Sequence, residues 1–283
     1  MIREPDPEVR LRGATIREVQ DLPSLPPGEF PVRGIQVRSE EVLLEIPGLA
    51  RWRIRSSGIE VQVVGPDRGR ILALSATTPL AAWWLLQGGT AFSGATVLPP
   101  GSRKAVMLCG RPGVGISTTV AELCGRGWTF HSDGIVLARS EQDAVASLPA
   151  PPESMLWDWS LRNLSWTPRP EELRPTGLPS RSWWSPREHA DGIRPLGAVV
   201  VLRRANPRLH PCEASPLRTS GLDRLKTLDA ALFQPRLAAA LGRREQIWKL
   251  CSSIAAGCEM QSWTCDATLA PCDVASRLED SLR

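Results

Sequence analysis

Apolar and polar positions along the chain change period several times, and each change predicts an element. From Gly34 to Gly65, "IQVRSEEVLLEI", "RWRIRS" and "IEVQVVG" alternate or run apolar over short spans, with Gly48, Gly58 and Gly65 as punctuation. Short alternating runs bounded by glycine predict a small antiparallel β-layer over residues 34–78. "PLAAWWLLQGG" starts at a proline and ends at paired glycines, which predicts a helix. Residues 1–33 are charged and broken by proline and glycine, and they predict an irregular arm.

The second half reads differently. "KAVMLCG" and "LGAVVVLRR" are continuous apolar runs of strand length, the pattern of strands buried on both faces. Between them, "ISTTVAELCGRG" puts Ile116, Val120 and Leu123 on one helical face and stops at Gly125 and Gly127. "WTFHSDGIVLA" is a further extended run. Residues 149–195 form a Pro-rich insertion with five tryptophans, which need a surface to dock on. Two helical segments over 222–256, then "EMQSWTC" and "VASRLEDSL", predict a last strand and helix. The fold class expected is α/β: a mixed sheet with flanking helices at 79–283, preceded by the β-layer.

The chemistry concentrates in "GRPGVGIST", residues 110–118. Gly110, Gly115 and Ser117 match the phosphate-loop fingerprint G-x-x-x-x-G-K-[ST], but Ile116 stands at the lysine position. An apolar strand running into a glycine loop and a hydroxyl-rich helix start aims backbone N–H groups and a helix dipole at one spot, which suits an anion. The same residues also read as a plain strand–helix turn with capping hydroxyls. Losing a charged hydrogen bond to phosphate costs about 1.5–3 kcal/mol of binding. Losing one group that stabilises the transition state slows transfer by roughly 10²–10³. Arg111 in the loop and Lys104 at the strand start are candidate replacement cations.

Composition narrows the picture modestly. With 42% hydrophobic and 23% charged residues the chain reads as an ordinary globular protein. A net charge of +4 gives no argument for nucleic acid. Its longest apolar stretches fall well short of the roughly 20 residues that span a bilayer, and "MIREPDPEVR" has no signal-like apolar run. No membrane partner and a cytoplasmic location are therefore expected. Cys251, Cys258, Cys265 and Cys272 recur every seven residues, a spacing that Gly257 and Pro271 keep off one helix and that lacks the close pairs of a metal site. They read as small buried hydrophobes. Cys124 and Cys212 have no partner in sequence.

In order and spacing, "LLQGGTAFSGATV", "KAVMLCGRPGVGISTTVAELCGRGW", "FHSDGIVLA" and "LPAPPESMLWDWSLRNL" resemble the HPr kinase/phosphorylase family. The short relatives that accompany lasso-peptide and other peptide natural-product clusters are the nearest in pattern. The resemblance implies a P-loop fold using ATP and Mg2+, with Gly110, Arg111, Gly113, Gly115, Ser117 and Thr118 around the nucleotide. It implies Ser117 and Asp133 at the metal, and Asp133 as the acid–base residue. The sequence departs from the family at Gly94, where a His is expected, at Ile116, and at Gly134, where a second Asp is expected. His131, two residues before Asp133 along an extended run, is a candidate relocated imidazole. Arg181, Trp183 and Trp184 are candidates for binding a peptide or protein partner, such as a precursor peptide or a biosynthetic enzyme; a homo-oligomer stays open. Two functions follow: phosphoryl transfer to a serine or peptide hydroxyl, and a catalytically dead pseudokinase that binds a peptide or partner.

Overall fold

The computed structural model describes residues 8–23, 34–38, 40–142, 144–176, 179–204, 216–218, 221–265 and 269–282. Most of the predicted arm (1–7 and 24–33) and Cys212 lie outside them. The chain divides into two compact units, residues 1–91 with 232–250, and residues 92–231 with 251–283.

The first unit is a six-stranded sheet in the order Glu8–Leu11, Ala14–Glu18, Gly58–Val63, Ala50–Arg55, Glu41–Ile46, Ile35–Arg38. Its strands alternate as the sequence pattern requires: Trp52, Ile54, Ile59 and Val61 are buried, while Arg51, Arg53 and Arg55 lie on the other face. There Arg51 pairs with Glu45, Arg53 with Glu60 and Arg55 with Glu41. That face is a charge-balanced lattice.

Two expectations are corrected here. The arm read as irregular contains the hairpin Glu8–Leu11/Ala14–Glu18, turned by Arg12 at φ 52° and Gly13 at φ 89°. A two-residue turn of this hand needs positive φ at both positions, and Asn or Gly normally signals the first; arginine hides it. The helix Thr78–Leu86, assigned from sequence to the second domain, belongs to the first unit. Every residue from Pro79 to Leu86 is buried, with Trp83 Nε1 donating to the Ser56 carbonyl at 3.2 Å. A helix apolar all round has to be enclosed.

The second unit holds an eight-stranded mixed sheet. Its path runs Ala144–Ser147, Ile135–Glu141, Thr90–Leu98, Ala105–Gly110, Arg194–Arg204, Glu259–Cys265, Pro216–Arg218, with Thr129–Ser132 paired to Thr90–Leu98. Ala105–Gly110, Arg194–Arg204 and Glu259–Cys265 are mutually parallel neighbours at the centre. Val106, Leu108, Ala198, Val200 and Leu202 form one core with Val120 and Leu123 of the helix Ile116–Gly125, and with Val274 and Leu278 of the helix Pro271–Leu282. Met107, Cys109, Val199 and Val201 are buried on the opposite face. Burial on both faces explains why these strands read as unbroken apolar runs.

The insertion is more ordered than its prolines suggested. Ser154–Trp157, Arg181–Trp184 and Leu173–Pro175 make a three-stranded sheet, with Arg181–Trp184 in the middle. Trp184 is buried against Ala121 and Leu156, edge-on to Phe130 at 6.5 Å and tilted on Trp166 at 5.9 Å. Trp166 lies over Gly125, where a Cβ would meet its Nε1 at 2.0 Å. Deleting so large a buried ring leaves a cavity, so Trp184→Ala is expected to destabilise the fold by about 3–5 kcal/mol, measured by urea denaturation.

Candidate functional site

The strand Ala105–Gly110 ends at the glycine loop because its last residue can have no side chain. A Cβ on Gly110 would lie 2.4 Å from the Leu202 carbonyl oxygen on the neighbouring parallel strand. The chain then turns through Gly113 at φ 83° and Gly115 at φ 104°, both in the left-handed region that glycine tolerates, and both facing open space. Val114 N–H donates to the Arg111 carbonyl at 3.1 Å, and Thr119 N–H to that of Gly115 at 2.9 Å. The helical ladder thus begins at Thr119, and the N–H groups of Ile116, Ser117 and Thr118 precede it.

Ile116 does not fill the hollow of the loop. It packs, with Val114, against the core cluster beneath the helix. Beside the loop lies a cavity of ≈ 710 Å³, bounded by Gly110–Val114, by Val201–Arg204 at the carboxyl end of the parallel strand, and by Thr227, Ala230 and Ala231 of the helix Leu222–Ala231. Crevices at the carboxyl ends of parallel strands are the usual ligand sites of such sheets, and this size suits a nucleotide. Arg111, Arg203 and Arg204 line it, and no acidic residue does among the described residues.

Asp133 sits past the end of the strand Thr129–Ser132, in a turn made by Gly134 at φ 81°. Its carboxylate accepts from Gly134 N–H at 2.8 Å, from the Ser154 hydroxyl at 2.5 Å and from the Ser117 hydroxyl. Burial raises its pKa above the ordinary aspartate value, against the lowering effect of those three donors. Ser117, Asp133 and Ser154 therefore converge. Ser117 is in the first turn of the loop helix and Ser154 opens the three-stranded sheet.

Other expected site residues lie elsewhere. His131 is fully buried, its Nε2 3.1 Å from the Gly192 carbonyl and its Nδ1 2.9 Å from the Thr96 hydroxyl. A carbonyl only accepts, so Nε2 carries the proton and Nδ1 takes one from Thr96. The imidazole is occupied as a structural link, because the chain leaves the strand after Ser132 and the alternation that would align His131 with Asp133 ends there. Thr118 is buried and donates to Ser160 at 2.8 Å. Trp184 is core and Trp183 half-buried, while Arg181 lies 3.9 Å over the ring of the exposed Trp157. Trp157 and Trp159, in the Trp- and Arg-bearing stretch "WDWSLRNLSW" but not among the named candidates, are exposed aromatics of this region. Lys104 stands at the far end of its strand, about 20 Å from the loop at ~3.3 Å per residue. Gly94 is shut: a Cβ there would meet the Leu108 carbonyl oxygen at 2.3 Å.

The four spaced cysteines are spread over three elements, with Cys251 and Cys258 buried along and just past one helix, Cys265 ending a strand and Cys272 opening the last helix. Burial pushes the thiols of Cys251 and Cys258 up, to about 12 and about 11. They behave as packing residues. No helix among the described residues is long and apolar enough to cross a membrane.

No family model matches the chain, and no curated protein matches its sequence. Among solved structures it is similar to the HPr(Ser) kinase/phosphatase from Coxiella burnetii, at 10% identity and a TM-score of 0.38, over 68% of this chain and 95% of that one. At that level the chemistry has to be read from this chain's own atoms.

The raised pKa of Asp133 carries a sign. A carboxyl whose folded pKa lies above its unfolded value makes the folded state bind the proton more tightly, so stability falls as pH rises from the unfolded toward the folded pKa. Above its folded pKa the ionised Asp133 is then a net cost. Asp133→Asn is expected to raise Tm at pH 8, by an amount that shrinks as pH falls toward the ordinary aspartate value of about 4; paired thermal melts at pH 4 and pH 8 check this.

Proposed function

We propose that this chain is a kinase-like protein of the HPr kinase type that binds a nucleoside triphosphate beside the glycine loop and serves as a binding subunit, phosphoryl transfer having been lost. The observation that carries this reading is the open, arginine-lined cavity beside a loop whose lysine position is given to the hydrophobic core. Backbone N–H groups and arginines suffice for an anion to bind. Transfer needs more: positioned charge on the moving phosphoryl group and a proton acceptor near the attacking hydroxyl. Gly94 leaves no room for an imidazole, Ile116 supplies no ammonium and Gly134 no second carboxylate.

Ser117 and Asp133 would hold Mg2+, since a hydroxyl and a carboxylate are hard oxygen donors that suit it. When bound with ATP, the ion would offset phosphate charge. The exposed Trp157 with Arg181 stacked on it, and Trp159 in the first turn of the following helix, would take a peptide or partner enzyme. A precursor peptide of a natural-product pathway is the partner the family resemblance suggests.

A second reading, residual transfer to a serine or peptide hydroxyl, is favoured by one observation. Asp133 is tied to Ser117 and has a pKa raised by burial, the direction that makes a carboxylate a better proton acceptor.

Millimolar ATP with Mg2+ is expected to raise the melting temperature by several degrees, as binding to the folded state alone must. Gly115→Trp, which fills the loop, should abolish the shift. Label from γ-phosphate should not move to the protein or to serine peptides; transfer that Asp133→Asn removes would establish the second reading instead. No shift at millimolar nucleotide would overturn the proposal.

A further inference from the structure

We infer that Arg203 supplies the cation the glycine loop lacks, gripping the polyphosphate arm of the ligand from the neighbouring strand instead of from the loop's own helix. The inference rests on the nucleotide-binding reading above and goes beyond it by assigning the phosphate anchor.

The argument starts from strand alternation. Along Arg194–Arg204, Ala198, Val200 and Leu202 enter the core under the loop helix. Val199, Val201 and Arg203 therefore face the other side of the sheet. The cavity lies at the carboxyl end of this strand, bounded by Val201, Leu202, Arg203 and Arg204 together with Thr227, Ala230 and Ala231. Register then fixes the height: Val201 lies opposite Cys109 and Leu202 opposite Gly110, so Arg203 stands one residue past the point where the loop begins. Parallel neighbours are about 4.8 Å apart. A guanidinium on a three-carbon stem reaches across that gap to the mouth of the loop.

Two further observations agree. The positive charge of Arg203 draws down the pKa of the Cys109 thiol, which burial otherwise pushes to about 12, placing the guanidinium on the same face as Cys109. Among the described residues Arg203 has no carboxylate partner, in a chain where Arg51, Arg53, Arg55, Arg126 and Arg187 are all paired. The competing cations are placed less well. Lys104 is at the wrong end of its strand, and Arg204, which also lines the cavity, stands one residue farther along the strand from the register position of the loop. Arg111, exposed like Arg203, rises from the loop itself, not from the neighbouring strand. A planar fork also suits phosphate oxygens better than a point charge does.

Calorimetry with sodium tripolyphosphate, ATP·Mg2+ and adenosine, on wild type, Arg203→Gln and Arg203→Lys, tests this. Wild type should bind tripolyphosphate and ATP but not adenosine. Arg203→Gln should weaken both by about tenfold or more, the equivalent of one charged hydrogen bond, with its melting temperature without ligand unchanged. Arg203→Lys should recover part of the loss, and Ile116→Lys in the Arg203→Gln background should rescue binding by restoring a cation inside the loop. Unchanged affinity in Arg203→Gln overturns the inference and leaves nucleotide binding intact. Wild type that binds ATP and adenosine but not tripolyphosphate does the same, because the base would then be the anchor. Wild type that binds none of the three overturns both.

Discussion

The close approach of three strands around Ala105–Gly110 is the constraint on which the site depends. Gly94 lets the antiparallel neighbour come so near that a Cβ would stand 2.3 Å from the Leu108 carbonyl, and Gly110 does the same for the parallel neighbour at Leu202. An overlap of that depth against backbone cannot be relieved by a side-chain rotation, so both positions are closed to every other residue. The strand end, the loop that leaves it and the helix that follows are thereby set beside Val201–Arg204. The same constraint excludes an imidazole at Gly94. Packing and chemistry are decided by one contact.

What results is a loop with different groups on its two sides. Toward the loop helix lie Ser117, Asp133 and Ser154, joined by hydrogen bonds and drawn together by the three-stranded sheet. Toward the helix Leu222–Ala231 lies the cavity, with cations and no described acid. A phosphotransferase has to bring its cation, metal ligands and base onto one phosphoryl group. Here the residue that follows the loop's last glycine, Ile116, turns into the core. That arrangement supports anion binding more than it supports turnover.

The tryptophans of the insertion show how a loop-rich sequence still fixes a site. Trp184 and Trp166 bury against Ala121, Leu156 and Phe130, and this anchors the strand that carries Ser154 to the loop helix. Thr118 adds a hydrogen bond to Ser160 in the same interface. Trp157 and Trp159, one and three positions from Leu156, remain exposed at 52% and 59%. The same residue type is core at one position and surface at the next, as the period of the strand dictates.

The sequence by itself determined the elements whose pattern is local. The buried parallel strands, the strand–loop–helix unit at 105–125 and the alternating strands of the first sheet follow from periodicity and glycine punctuation, which act over a few residues. The chain's own residue types also put isoleucine, not lysine, directly after the loop's last glycine. Only tertiary structure decided where single side chains ended up. His131 and Thr118 looked like site residues in a linear reading, but their partners, Gly192 and Ser160, are about 40 to 60 positions away. Arg203 carried no signal in its own neighbourhood, since its place beside the loop comes from register with Ala105–Gly110. Hydrogen bonds and charges act through space, and a position's neighbours in space are set by the fold as a whole.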